Sequence, residues 1–324
     1  MTGSSRPDHS HPACTRRLMV TGGRGFVGAA VIQHLIERGH SVHVLGPESP
    51  VALPAGATET IGSVEVDRDI ERAIVSARPD TVLHFAAFSA GPIGLTRSGE
   101  ADPERMFAVN VLGFRRVLDA CVKHRIRRVI WTSSTVVLGQ AQSISERLDE
   151  SAPRHPLVHY GLSKVLAEDL AQFYRDRDGL ESVGLRIPLM LGPGLWYQGA
   201  ASQISALVRH ALMHDPSRVT GPDGPFDVMH VADMGGLIQT LLASEGPLAP
   251  IYHVAGFTTD FPAIARTLAE LLQASVPPVH TTPPAITYPL VNPAMLERQT
   301  GWRPRHDLRS TLLDMIDELR STLK

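Results

Sequence analysis

The sequence predicts an α/β fold, a doubly wound parallel sheet with a smaller carboxy-terminal lobe. Three observations carry this reading. Short apolar segments alternate with helical ones from residue 16 to about 188. A glycine-rich turn, "VTGGRGFVG" at 20–28, joins the first apolar segment to the first helical one. Beyond 188 proline and glycine break the alternation. Strands that alternate with helices pair in parallel through right-handed crossovers, which builds a sheet with helices on both faces.

In chain order, "RRLMV" (16–20) reads as a short apolar strand, and "FVGAAVIQHLIERG" (26–39) as a helix closed by Gly39. "SVHVL" (41–45) is a second strand. After a Pro/Gly-rich connection, "RDIERAIVSARP" (68–79) reads as a helix and "TVLHFAA" (81–87) as a third strand. One long helix is expected over "PERMFAVNVLGFRRVLDACVKH" (103–124). The strand "RVIWTSS" (128–134), the helix "YGLSKVLAEDLAQFYRDR" (160–177) and the strand "SVGLRIP" (182–188) follow. "PLMLGPGLWYQG", "TGPDGPF" and "SVPPVHTTPP" then punctuate the chain, and an amphipathic helix "DLRSTLLDMIDELRSTL" (307–323) closes it. Residues 1–15 are expected to be a disordered leader, 16–187 the dinucleotide-binding domain with late strands from about 226–256, and 188–225 with 257–324 the substrate lobe.

Composition excludes several classes. A 43% hydrophobic content and a net charge of −2 are those of a chain with a full core and no broad phosphate-binding surface, so no nucleic-acid partner is expected. Cys14 and Cys121 are the only cysteines, giving neither a disulfide framework nor a metal-site spacing. His9 and His11 read as solvated tail residues, and no metal is expected. "MTGSSRPDHSHPACT" lacks the apolar run of a signal peptide, and no run reaches the roughly 18 residues of a membrane span. A cytoplasmic protein with no membrane partner is the expectation.

Two motifs carry chemistry. Gly23-x-Gly25-x-x-Gly28, overlaid on Thr21-Gly22-x-x-Gly25-x-x-Gly28, lies between a strand and a helix. In that setting glycines let the backbone approach a pyrophosphate while the helix N-terminus offers free N–H groups and positive charge. An ordinary tight turn is the alternative; the context favours a dinucleotide. The second motif is "YGLSK" (160–164). The chain has 28 arginines and only three lysines, Lys123, Lys164 and Lys324. Chance would place about 0.05 Tyr-x-x-x-Lys pairs in it. Residues four apart share a helix face, so Lys164 can reach toward Tyr160. A tyrosine that works as a base near pH 7 needs its pKa about 3 units below the usual value, and a nearby ammonium acts in that direction. Thr132, Ser133, Ser134 and Thr135 end the preceding strand with hydroxyls that can hold a substrate oxygen, or simply bond their own turn.

With these motifs the chain resembles the extended short-chain dehydrogenases/reductases of the NAD-dependent epimerase/dehydratase group. Eight stretches match in family order: the glycine-rich start, "LHFAA" (83–87), "NVLG" (110–113), "TSSTVVLG" (132–139), "YGLSK", "LRIPLMLGPG" (185–194), "MHVADM" (229–234) and "TGWRPRHDL" (300–308). The resemblance implies a Rossmann sheet. It makes Tyr160 the catalytic acid/base, Lys164 the group that binds the nicotinamide ribose and lowers the tyrosine's pKa, and Ser134 the catalytic hydroxyl. Gly22, Gly25, Phe26, Val27, Gly28, Ala86, Ala87, Asn110, Tyr160, Lys164 and Pro188 are implied on the cofactor. Ser89, Ser134, Thr135 and Tyr160 are implied on the substrate, a sugar-like small molecule. His230 and Asp233 fall in a segment that packs against the active site. A homodimer through the helices at about 105–123 and 160–177 is implied as well.

The departures concern specificity. An acid often ends the second strand in NAD-using members; Gly46 stands there. A 2′-phosphate would want a cation, yet residues 39–66 hold no Lys or Arg, which leaves Arg24. The balance tips to NAD, with NADP as the alternative. Phe226 stands where nucleotide-sugar members place an arginine that grips the diphosphate, and Leu138 where they often have a tyrosine. Arg97, Arg105 or Arg218 could substitute. An oxidoreductase is expected, with a nucleotide-sugar epimerase or dehydratase as the alternative and a non-catalytic dinucleotide sensor as a third reading.

Overall fold

A computed structural model describes residues 15–49, 51–139, 146–284 and 288–322. Cys14, His9, His11 and nearly all of the expected leader lie outside the described residues. The first half is built from β1 (Arg17–Thr21), α1 (Phe26–Glu37), β2 (Ser41–Gly46), β3 (Thr58–Ile61), α2 (Asp67–Ala77) and β4 (Thr81–His84). Then come α3 (Leu95–Ala101), α4 (Pro103–Phe107), α5 (Phe114–Lys123), β5 (Arg128–Ser134), α6 (His159–Asp178) and β6 (Glu181–Ile187). The remainder comprises β7 (Leu189–Leu191), α7 (Ala200–Leu212), β8 (Val219–Pro222), β9 (Phe226–His230), α8 (Val231–Ala243) and β10 (Ile251–His253). It ends with β11 (Phe257–Thr259), α9 (Phe261–Leu272), β12 (Val279–Thr282), α10 (Ala294–Thr300) and α11 (Leu308–Thr322).

Seven strands form one sheet in the order β10-β6-β5-β4-β1-β2-β3, and every pairing in it is parallel. The chain winds outward from β1 to β3, then returns to β4 and winds the other way. The carboxyl ends of β1 and β4 therefore flank the switch point where ligands bind in such sheets. Period-2 alternation splits the core in two. Leu18 and Val20 pack with Ile32, Leu35, Leu237 and Leu241 on the face of α1 and α8. Met19 packs with Phe114, Val117, Cys121, Trp131 and Ala171 on the face of α5 and α6. Both faces are dry, which is why these strands read as nearly unbroken apolar runs.

The lobe has its own core, in which Ile204, Val208, Phe226, Phe261, Leu268 and Leu312 meet. Of the late strands expected near 226–256, β10 joins the main sheet, whereas β9 pairs with β7 and β11 in a three-stranded sheet. The helix expected over 103–124 runs without a break from Pro103 to Lys123, as α4, a π-helical turn at Ala108–Gly113, and α5. β3, with the largely exposed sequence TETI, and α3 arise in stretches for which the sequence pattern gave no element. No helix among the described residues is long and apolar enough to cross a membrane.

Candidate active site

The glycine turn sits at the carboxyl end of β1. Gly22 has φ +72°, and a Cβ there would stand 2.6 Å from the Ala86 nitrogen, so only glycine lets this turn touch the chain leaving β4. At Gly28 a Cβ would lie 2.3 Å from the Gly22 carbonyl oxygen, so the first turn of α1 also rests directly on the loop. Gly25 caps α1 with extended backbone, no side chain bonds the cap, and the first turn holds no acid. These uncapped N–H groups and their positive dipole end suit an anionic pyrophosphate. Phe26 is buried and Val27 half-buried in that turn; Ala86 and Ala87 are half-buried on the facing loop. Thr21 Oγ1 lies 2.8 Å from His84 Nδ1, joining the ends of the two strands that flank the crevice.

Asn110 locks this side to α6. Its Oδ1 accepts from the Phe88 N–H at 2.8 Å, and its Nδ2 donates to Ser163 Oγ at 3.0 Å. Ser163 Oγ in turn donates to the Tyr160 carbonyl at 2.7 Å. The π turn that carries Asn110 widens the helix at this point, a deviation frequent at functional sites. Pro188 is buried between β6 and β7, at the same carboxyl edge.

Tyr160 and Lys164 occupy successive turns of α6, and both are buried. Lys164 Nζ donates to the Thr132 carbonyl at 2.7 Å and lies 5.8 Å from the centre of the Tyr160 ring. Burial brings its pKa down to about 8, against the pull of the Glu168 carboxylate. The Tyr160 phenol is pushed well above the ordinary tyrosine range by burial, and further by Tyr197 and Tyr288 beside it; hydrogen bonding from the Ser134 side chain pulls the other way. So Ser134, Tyr160 and Lys164 converge. The expectation that Lys164 lowers the tyrosine's pKa is not met in the chain by itself. Its ammonium is directed at a backbone carbonyl, and the phenol lies in an apolar wall with Met106, Val136, Phe88 and Leu95.

The remaining expected residues divide. Ser89 is half-buried and donates to the Gly91 carbonyl at 2.9 Å. Thr135 is only 1% exposed in the short 3-10 turn Thr135–Leu138 that Ser134 caps. A hollow of about 330 Å³ lined by Arg127, Arg175 and Glu181 lies at the amino-terminal edge of the strands, opposite the crevice, and has no part in this site.

The sequence model of the NAD dependent epimerase/dehydratase family matches residues 18–255. The chain belongs to this family. Over 173 residues it is 34% identical to a uronate dehydrogenase of Pseudomonas putida, a stretch that spans 53% of this chain and 60% of that protein. It is 25% identical over 322 residues to a UDP-glucose 4-epimerase of Azospirillum brasilense, covering 91% and 89%. The crystal structure of a Thermus thermophilus UDP-glucose 4-epimerase in complex with NAD superposes with a TM-score of 0.82 at 26% identity, covering 94% of this chain and 99% of that one.

Within this family member, sequence reasoning missed the polar layer beneath the triad. Glu168, one turn below Lys164, accepts from Arg186 Nε and Nη2 at 2.8 Å each and from Ser133 Oγ at 2.7 Å. Arg186 also meets His253 Nε2 at 3.0 Å. The spacing of 160, 164 and 168 on one helix face was available as a signal; the partners on β5, β6 and β10 were not.

His230, His306 and Asp314 are grouped with their ligand atoms within 4.8 Å, a spacing that could suit a metal ion. Yet the Ala232 N–H donates to His230 Nδ1 at 3.2 Å, which leaves a neutral ring's proton on Nε2, the atom that faces Asp314 at 3.4 Å. A protonated nitrogen does not ligate. Asp233 meanwhile accepts from the backbone N–H of Arg305 and His306 and meets the His306 ring at 2.8 Å. The group reads as a clasp that fastens the segment before α11 to the start of α8.

Proposed function

We propose that the chain is an NAD(P)-dependent oxidoreductase that moves a hydride between a secondary alcohol of a sugar-like small molecule and nicotinamide, with NAD preferred. The observation that carries this reading is that Lys164, one turn from Tyr160, bonds the end of the strand that closes with Ser134, while Tyr160 packs on Val136 just beyond it, at the edge that also holds the uncapped start of α1. Gly22, Gly25, Phe26, Val27 and Gly28 would hold the pyrophosphate, and Ala86, Ala87, Asn110 and Pro188 would shape the nicotinamide side. When bound, the oxidised cofactor supplies the hydride acceptor and a positive ring. Ser134 orients the substrate oxygen, Tyr160 takes or returns its proton, and Lys164 holds the ribose. The raised pKa of the free phenol makes Tyr160 an acid in the chain alone, so its work as a base depends on positive charge gathered beside it.

The lobe favours a substrate without a diphosphate. Phe226, at the place of a phosphate-gripping arginine, is buried in the lobe core. Arg105 is paired with Glu65 at 2.8 Å, and Arg97 and Arg218 are exposed. A second reading, a nucleotide-sugar epimerase or dehydratase, is favoured by the near full-length likeness to the Thermus thermophilus enzyme. Incubation of the chain and oxidised dinucleotide with hexoses, hexuronates and nucleotide sugars separates the two. The leading reading expects net reduced nicotinamide with a free sugar or sugar acid; altered sugar without net reduction supports the second.

The homodimer is part of the same proposal. Leu162, Leu166 and Phe173 form an exposed apolar stripe along α6, with Leu112 exposed on the neighbouring π turn. Light scattering should give about twice 35.1 kDa; a monomer mass contradicts it.

A further inference from the structure

The adenosine end of the crevice carries a charged pair. β2 ends at Gly46, where an acid would bond the adenosine ribose, and a Cβ there would meet nothing within 4 Å. The neighbouring strand fills that chemistry. Val44 pairs with Glu59 and Gly46 with Ile61. His43 holds Thr58 and Thr60 on one face of the sheet, each at 2.8 Å. Alternation therefore puts Glu59 on the other face, with Val44. The glycine turn lies on that face too, since a Cβ at Gly23 would press on the Val44 methyls at 2.9–3.0 Å. Here the Arg24 guanidinium forms an ion pair with Glu59, and its Nε donates to the Val51 carbonyl at 2.9 Å. The Arg24 side chain is 15% exposed and is held at two points, by Glu59 and by the Val51 carbonyl, while the Glu59 side chain is 40% exposed and so open to a ligand.

We propose that Glu59 selects NAD over NADP by occupying Arg24, an inference that rests on the dinucleotide-binding reading above. Glu59 offers from β3 the carboxylate that Gly46 cannot offer from β2, and a ribose hydroxyl can donate to it. A 2′-phosphate brings about −1.5 to −2 charges to the same corner. It meets a carboxylate beside a guanidinium whose charge is already matched. Removing the carboxylate's charge frees Arg24, which lies on the same sheet face as the glycine turn, to bind that phosphate with charge-assisted hydrogen bonds.

The test is direct binding of NADH and NADPH to the full chain, without substrate, by calorimetry or nucleotide fluorescence. Wild type should bind NADH at least about tenfold tighter than NADPH. Glu59→Gln should cut that ratio at least about tenfold, chiefly by improving NADPH, and Glu59→Gln with Arg24→Met should lose the gain. A folded Glu59→Gln protein whose ratio stays within about twofold of wild type overturns the inference, as does a wild type that prefers NADPH. If NADH binds and the ratio does not respond, this inference alone fails; if neither dinucleotide binds, the functional reading fails with it.

Discussion

Two buried charges stand one turn apart on α6, and they are treated differently. Glu168 is matched: a two-pronged contact from Arg186, a hydroxyl from Ser133, and Arg154 at 3.3 Å. Lys164 is barely matched: it gives one hydrogen bond to a carbonyl, and burial has taken its pKa down to about 8. A buried ion with a full set of partners holds structure in place. A buried ion left short of them is held at a cost, and such a cost is tolerated where the charge is needed for chemistry. The lower turn ties α6 to β5, β6 and β10; the upper turn carries Tyr160 and Lys164, the groups proposed to do the chemistry, on that fixed base.

This contrast can be broken at several points. Glu168→Gln should destabilise the fold most, by about 3–5 kcal/mol, because Arg186 is left as a buried unpaired charge. Denaturant unfolding checks it, and Glu168→Leu with Arg186→Met should recover much of the loss. Lys164→Met should do the opposite and stabilise the fold by up to about 3 kcal/mol, less about 1 kcal/mol for the stranded Thr132 carbonyl. The sign follows from linkage. The lysine's folded pKa, about 8, lies below its ordinary 10.5, so its penalty is complete below pH 8 and disappears as pH rises to 10.5. Unfolding of wild type and variant measured from pH 7 to 10.5 should show the gap closing. His253 gives the acid counterpart. Burial, then Arg186, holds its pKa at about 4, so wild-type stability should fall as pH drops from 6.5 toward 4. His253→Gln should flatten that limb by up to about 3 kcal/mol. Asp80→Ala, which removes a half-buried partner of the exposed Arg17, should change stability by less than about 1 kcal/mol.

The same contrast governs what could be read in the sequence. Leu18, Met19 and Val20 face two dry cores, so β1 is visible as an apolar run, and the glycine turn that follows is visible because Gly22 and Gly28 have no room for a Cβ. Tyr160 and Lys164 are close in sequence, and helical spacing alone puts them together. Glu168 and Arg186 are joined across strands, as are Arg24 and Glu59, and nothing local announces either pair. β3 escaped notice because an edge strand largely exposed on both faces needs no apolar run. The lobe was least legible: its core is assembled from Phe226, Phe261 and Leu312, which lie in segments separated by long irregular connections.

The central claim is that Tyr160 moves the proton while the glycine turn holds the dinucleotide independently of it. Tyr160→Phe should be compared with wild type for NADH affinity and for formation of reduced nicotinamide from a substrate that wild type turns over. The account predicts affinity within about threefold of wild type and turnover lower by about 10²–10⁴-fold. Turnover within about threefold of wild type would contradict it.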